Sequence, residues 1–224
     1  MVNEHASARV FAALSVQAKA ADVGAAVVAM TRRFEADELR HGELCGAVVE
    51  ALGGEALAEA PVLAAVPDHA DVDPFEALLR NVLSISCLSE TVAVALITAE
   101  RERTGPPAID AVLRSILSDE VRHARMGWAL IDDVADRIDA PLRDRLRPWL
   151  ALCFAQLEAH ELRFLADFGE PGAAAESVGV CHGGRARALF YDTVSEVIVP
   201  GLEQRGFAAT AAWAERSFDL AASA

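Results

Sequence analysis

Two five-residue segments of this sequence repeat one pattern. Asp37-Glu38-Leu39-Arg40-His41 and Asp119-Glu120-Val121-Arg122-His123 both read Asp-Glu-x-Arg-His. Residues three apart on a helix are neighbours, so each segment presents a carboxylate and an imidazole side by side. A lone Glu-x-x-His is a weak signal that recurs by chance. Two copies with the same flanking acid and base are much stronger. The ordinary alternative is a solvated helix face carrying ion pairs, and it fits badly. Glu38 and His41 share their face with Phe34, Cys45 and Val48, and Glu120 and His123 share theirs with Ile116, Ala124, Gly127 and Leu130. Carboxylates and imidazoles on an apolar face need compensation, and a metal ion supplies it.

The elements that must position these groups are helices. The chain has 224 residues, 53% of them hydrophobic, and 46 are Ala, the best helix former. Helical periodicity dominates and strand alternation is nearly absent, which predicts an all-α fold. A first helix is expected from about Asn3 to Ala20 and a second from about Ala25 to Leu52, broken by Asp22-Val23-Gly24 and stopped at Gly53-Gly54. Pro61, Pro67 and several Asp mark 55–73 as a crossover with room for one short helix. Asp73-Pro74 opens a third helix that ends near Arg103. A fourth should run from about Ala108 to Ile138 and a fifth from about Leu142 to Phe168. Gly169 to Gly184 reads as loop. The region from Arg185 onward reads as helix interrupted at Pro200-Gly201 and near Gly206. Two hairpins joined by one long connection are one way to close a four-helix bundle. The expected organisation is one domain, with 1–138 as the bundle and 139–224 as additional helices packed on it.

The heights of the acids along these helices can be compared. Glu90 is the only acid between Glu76 and Glu100. It lies about 14 residues, roughly 21 Å, before the turn at Gly105, and Glu120 lies about 13 residues, roughly 20 Å, after it. Glu4 lies about 16 residues before the first turn and Glu38 about 14 after it, roughly 24 and 21 Å. Four helices then deliver Glu4, Glu38, His41, Glu90, Glu120 and His123 to one level. Four carboxylates and two imidazoles are a ligand set for two hard-to-borderline metal ions bridged by carboxylate.

With these residues in place, the sequence resembles the ferritin-like superfamily of carboxylate-bridged di-iron proteins. That pattern is a Glu, a Glu-x-x-His, a second Glu and a second Glu-x-x-His on successive helices, and it covers about residues 3–138. Glu4-His5-Ala6-Ser7 and Arg40-His41-Gly42-Glu43-Leu44-Cys45 are also similar to a branch of uncharacterised bacterial ferritin-like proteins. The resemblance implies two iron ions, or a manganese–iron pair. It makes Glu4 and Glu90 terminal or semi-bridging carboxylates, Glu38 and Glu120 bridges, and His41 and His123 caps on one ion each. The doubled motif resembles the oxygen-activating members, in which the preceding acid hydrogen-bonds the other motif's His and the Arg neutralises that acid. Asp37, Arg40, Asp119 and Arg122 are therefore expected behind the ligands, where a ligating imidazole needs a partner for its far nitrogen. Plain surface Asp–Arg pairs are the competing reading of these four.

Departures from the family narrow the chemistry. Cys45 stands where ribonucleotide reductase small subunits carry a radical tyrosine, and in this it resembles the hydroxylases. The only tyrosine, Tyr191, is far along the chain. Gly127 is expected to leave room for a substrate or for oxygen, and Cys87 to line the same pocket or fill the core. Ile116 stands where arylamine N-oxygenases have an extra His. Helices two and three run roughly 20 Å beyond the metal level, about 14 and 16 residues, whereas only three residues precede Glu4. That flank is expected to border the substrate entrance and to be covered by the fifth helix, the C-terminal helices or a second copy in a homodimer.

Composition excludes other classes. The net charge is −14, from 34 acidic and 20 basic residues, which argues against nucleic acid and anionic membranes as partners. The run Thr91 to Ala99 comes closest to a membrane span and is short for one. Four widely spaced Cys form no CxxC pair, and no signal peptide is read at the start, so a cytoplasmic, thiol-reduced protein is expected. The leading functional reading is an oxidase or oxygenase acting on O2 and a small, largely apolar organic molecule, served by an electron donor. A ferroxidase or peroxidase handling iron or peroxide is the alternative, and a metal-stabilised helical binding module is a third.

Overall fold

The computed structural model describes residues 2–56, 66–163 and 172–216, and among them there is no β-strand. Eight helices follow in order: α1 (Val2–Ala20), α2 (Ala25–Ala51), α3 (Pro74–Arg103), α4 (Pro107–Asp133), α5 (Ala140–Leu162), α6 (Ala173–Glu176), α7 (183–204) and α8 (Ala209–Glu215). Asp73 caps α3 by accepting hydrogen bonds from the N–H groups of Phe75 and Glu76, with Pro74 in the first turn. Gly53, at φ 85°, provides the left-handed residue that ends α2.

The four long helices touch in a closed ring: α1 meets α2 and the start of α3, α3 meets α4, and α4 meets α2. One continuous core fills the ring and extends beyond it. Phe11 and Leu14 of α1, Phe34 of α2, Leu79, Leu83 and Leu88 of α3 and Leu130 of α4 join Leu150 and Phe154 of α5 and Phe190 and Ile198 of α7. Residues from both portions of the chain thus bury one another. The crossover reaches the ring at Pro67, whose carbonyl accepts hydrogen bonds from Gln17 and Asn81. Residues 57–65, including Pro61 and the room for a short helix, lie outside the described residues.

Several elements differ from expectation. Residues Leu83–Ser89 of α3 form π-helix, and the Glu90 N–H bonds to Ile85 O, five residues back. The fourth helix stops at Asp133 rather than Ile138, and Ala135–Arg137 make a 3-10 turn. α5 starts at Ala140, before Pro141, because Asp139 caps it by accepting from the Leu142 N–H at 2.9 Å. It is described to Leu162; the expected continuation over 164–168 lies outside the described residues. The presumed loop before Gly184 contains the single turn α6. Pro200-Gly201 do not interrupt the last region. A π-helical stretch, Val194–Ile198, widens the turn before Pro200 and leaves space for its ring, so the helix continues to Gln204.

α3 is long and apolar enough to cross a membrane by length and composition, which the run Thr91 to Ala99 understated. Here Glu76 and Glu90 are buried against other helices. Glu76 is 1% exposed and pairs with Arg80 and with Arg145 of α5, both at 2.8 Å. The Trp149 indole N–H adds a bond to Arg80 O. These contacts fix the start of α3 against α5 and so set the height at which Glu90 emerges.

Candidate metal centre

α2 and α4 contribute the two Asp-Glu-x-Arg-His segments, α1 contributes Glu4 and α3 contributes Glu90. The structure brings all six together. Two groups of ligand atoms could hold a metal ion: Glu4, Glu38, His41 and Glu120, and Glu38, Glu90, Glu120 and His123, each with its atoms within 4.8 Å of one another. Glu38 and Glu120 belong to both groups, which makes them the shared carboxylates. His41 Nδ1 lies 3.2 Å from Glu120, 3.6 Å from Glu38 and 3.9 Å from Glu4. His123 Nδ1 lies 3.0 Å from Glu38, 3.0 Å from Glu120 and 3.8 Å from Glu90.

Each imidazole turns its other nitrogen toward the acid of the opposite motif. His41 Nε2 is 3.1 Å from Asp119, and His123 Nε2 is 3.7 Å from Asp37. Arg40 bonds both Asp37, at 3.1 Å, and Asp119, while Arg122 bonds Asp119 and stands 3.6 Å from Asp37. The four side chains link α2 to α4 behind the imidazoles. The Asp residues are buried, and the Arg residues extend to the surface. The Asp119 acceptor holds a proton at His41 Nε2, so that in the neutral ring the Nδ1 lone pair faces the carboxylates; His123 Nε2, farther from Asp37, makes no hydrogen bond.

The electrostatics fit a cation. Burial and the neighbouring Glu38 and Glu120 raise Glu4 to about 7. Burial, then Glu120, pushes Glu90 well above the usual carboxylate range. Burial opposes charge on Glu120 too, but the His123 and His41 imidazoles beside it hold it below that range. Burial also disfavours the imidazolium forms, yet the surrounding carboxylates prevail. Glu120, Glu38 and Asp119 raise His41 to about 10, and Glu120, Glu38 and Glu90 raise His123 to about 12. Protons thus neutralise the cluster when no metal does so. His41 Nδ1 and Glu38 Oε1 are nonetheless buried without a hydrogen bond, a cost that ligation of a metal removes.

The surroundings are dry on one side. The rings of Phe34 and Phe11 lie 4.2 and 4.9 Å from that of His123, and both are fully buried. Glu4 is the outlet, with 23% of its side chain exposed. Beyond this level α2 and α3 continue, residues 93–100 of α3 are half-buried, and α7 packs along α3. The metal level is therefore not sealed at Glu4. His5 is exposed, with its ring against Gly42.

The three expected pocket residues fare differently. Cys45 is half-buried, its thiol raised by burial and by Glu4. Cys87 is fully buried in the apolar core, where burial raises its thiol further. Gly127 opens no space. A Cβ there would lie 2.4 Å from Ser86 Cβ and 3.2 Å from Cys87 Sγ. The π-helical turn pushes Ser86 into the gap, and Gly127 is small because α3 approaches it closely. The Ser86 hydroxyl is buried with no hydrogen-bond partner. Sequence reasoning missed this pairing, since Leu83–Ser89 carries no signal that separates π from α. No protein-family model matches the chain, and neither a curated protein nor a solved structure matches it.

Proposed function

We propose that this chain is a ferritin-like four-helix bundle with one long crossover, built around two iron ions, and that it activates O2 to oxidise a small, largely apolar organic molecule. The observation that carries the reading is the pair of ligand groups overlapping at Glu38 and Glu120. Two shared carboxylates would hold two ions side by side, the arrangement suited to two-electron chemistry with oxygen. Bound there, the two irons would supply the electrons that reduce O2 and the oxidising power applied to the substrate.

The chain's own residues do the rest. Asp119, bonded to His41, and Asp37, beside His123, would orient the two imidazoles with Nδ1 of each toward the carboxylates that would hold the metal. Arg40 and Arg122 offset the charge of those acids. Phe11 and Phe34 keep water from the His123 side. Glu4 is the ligand carboxylate with most access to solvent, so it is placed to swing as ion charge changes and to admit small molecules. Glu4 and Glu90 also hold protons more readily than ordinary carboxylates, which suits them to exchange protons as ligands come and go.

The test is to load the protein anaerobically with Fe(II), add O2 together with a panel of small apolar organics, and analyse products by mass spectrometry. The expected result is O2 consumption coupled to a hydroxylated or desaturated product while iron stays bound. Turnover of many Fe(II) per chain into released ferric mineral, with no organic product, would overturn this reading in favour of ferroxidase activity.

A further inference from the structure

A cavity of about 350 Å³ lies beside the far half of α3. Leu96 and Glu100 of α3 form one wall, Val178, Val180 and Cys181 of the α6–α7 connection another, and Ala186 of α7 closes it. The connecting segment is firmly seated. The Gly105 N–H donates to Ser177 O at 2.8 Å. Gly179, at φ 95°, approaches α3 so closely that a Cβ would stand 2.7 Å from Thr104 Oγ1 and 3.3 Å from Glu100 O.

The lining is apolar apart from the Cys181 thiol and one carboxyl group, that of Glu100. Among the described residues no hydrogen bond or ion pair reaches that carboxyl, and burial alone raises it to about 7. The neighbouring cations on α3 are engaged elsewhere: Arg101 with Asp110 at 2.8 Å and Arg103 with Glu176 at 3.9 Å. Cys181 shares the cavity wall with Glu100, and the Glu100 charge also acts on the thiols of Cys181 and of Cys45 from α2. Arg103 and Arg185 act on Cys181. A half-buried carboxyl without a partner, in an apolar cavity of ligand size, is the arrangement of a binding site.

We propose that this cavity binds a small molecule with a short apolar body and a protonated primary amine, the ammonium pairing with the Glu100 carboxylate. An ammonium is a compact charge with three donors, which suits a single carboxylate in an otherwise apolar pocket. A carboxylate ligand would meet repulsion, and an alcohol would donate one uncharged hydrogen bond in place of an ion pair. The chain's net charge of −14 also draws cations toward it. Glu100 lies ten residues beyond Glu90, roughly 15 Å along the helix, so the proposal stands whether or not the metal reading does.

Calorimetric titration of the full chain with hexylamine, hexanol and hexanoate tests it. Hexylamine is expected to bind, about tenfold more tightly at pH 8 than at pH 6, because the ionised fraction of Glu100 grows by that factor. Glu100→Gln should weaken hexylamine at least tenfold and change hexanol less than threefold. Its melting temperature should equal or exceed that of the parent, since an unpaired charge is removed, and Glu100→Asp should retain part of the binding. Equal hexylamine affinity in Glu100→Gln, hexanoate binding as tight as hexylamine, or no hexylamine binding at millimolar concentration would overturn the proposal.

Discussion

Metal loading should expel protons in a number the cluster itself sets. At pH 7 the metal-free protein holds a full proton on His41, raised to about 10, and on His123, raised to about 12. Both must leave, because a ligating imidazole binds through a free nitrogen lone pair. Glu4, near 7, contributes about half a proton, and Glu90, raised well above its ordinary value, contributes up to one. The expected release is therefore about 2.5 to 3.5 protons per chain. The cost is appreciable: taking the proton from His41 at pH 7 needs about 4 kcal/mol, three pH units at 1.36 kcal/mol each. Metal binding must offset it, so overall affinity should fall by about a thousandfold per pH unit of acidification when three protons are displaced. The assay is anaerobic titration with Fe(II) in lightly buffered solution, read with a pH indicator. Release of one proton or fewer would refute the reasoning, since it would mean that the imidazoles were neutral beforehand or do not bind.

Three further outcomes are expected. Gly127→Ala should destabilise by about 1–3 kcal/mol, read by denaturant unfolding, because its Cβ meets that of Ser86; Ser86→Gly in the same chain should recover part of the loss. Glu76→Gln should cost about 3 kcal/mol in the same measurement, since it removes the closer and buried of the two carboxylate partners of Arg80, the other being exposed Asp71; a loss under 1 kcal/mol would show that the pair contributes little. The melting temperature of metal-free protein should fall as pH rises from 5 to 9. Groups whose folded pKa is raised stabilise fully below their unfolded pKa and lose that contribution as pH passes the folded one. For Glu4 the loss spans 4.5 to about 7, and for His41 it spans 6.5 to about 10; Glu120, lowered, adds nothing to the trend in this range. Metal-loaded protein should show little of this decline.

The clustered residues were legible because helix geometry converts spacing directly into position. Three residues join Glu38 to His41 and Glu120 to His123, and a constant rise per residue places Glu4 and Glu90 at their level. The cross-pairing of Asp119 with His41 and Asp37 with His123 was available only through the resemblance. The interior of α3 was not legible. Leu83–Ser89 has ordinary helix-forming residues, and its π geometry, which seats Ser86 against Gly127, leaves no mark on them. A void was therefore expected where a contact exists. The end of α4 was misjudged for a related reason: Val134 and Ile138 continue the apolar rhythm, although the chain leaves the helix at Asp133 to bury them. Glu100 and Glu76 look alike in sequence, yet one is unpaired beside a cavity and the other is held by two arginines. Only the tertiary neighbours separate them.

The central claim, two ions sharing Glu38 and Glu120, is tested most directly by metal content after anaerobic Fe(II) loading and desalting. About two irons per chain are expected in the parent and about one in both Glu4→Ala and Glu90→Ala, since each of these residues lies in one ligand group. Glu120→Ala, which lies in both, should retain almost none. One iron or none in the parent, or two retained in Glu120→Ala, would contradict it.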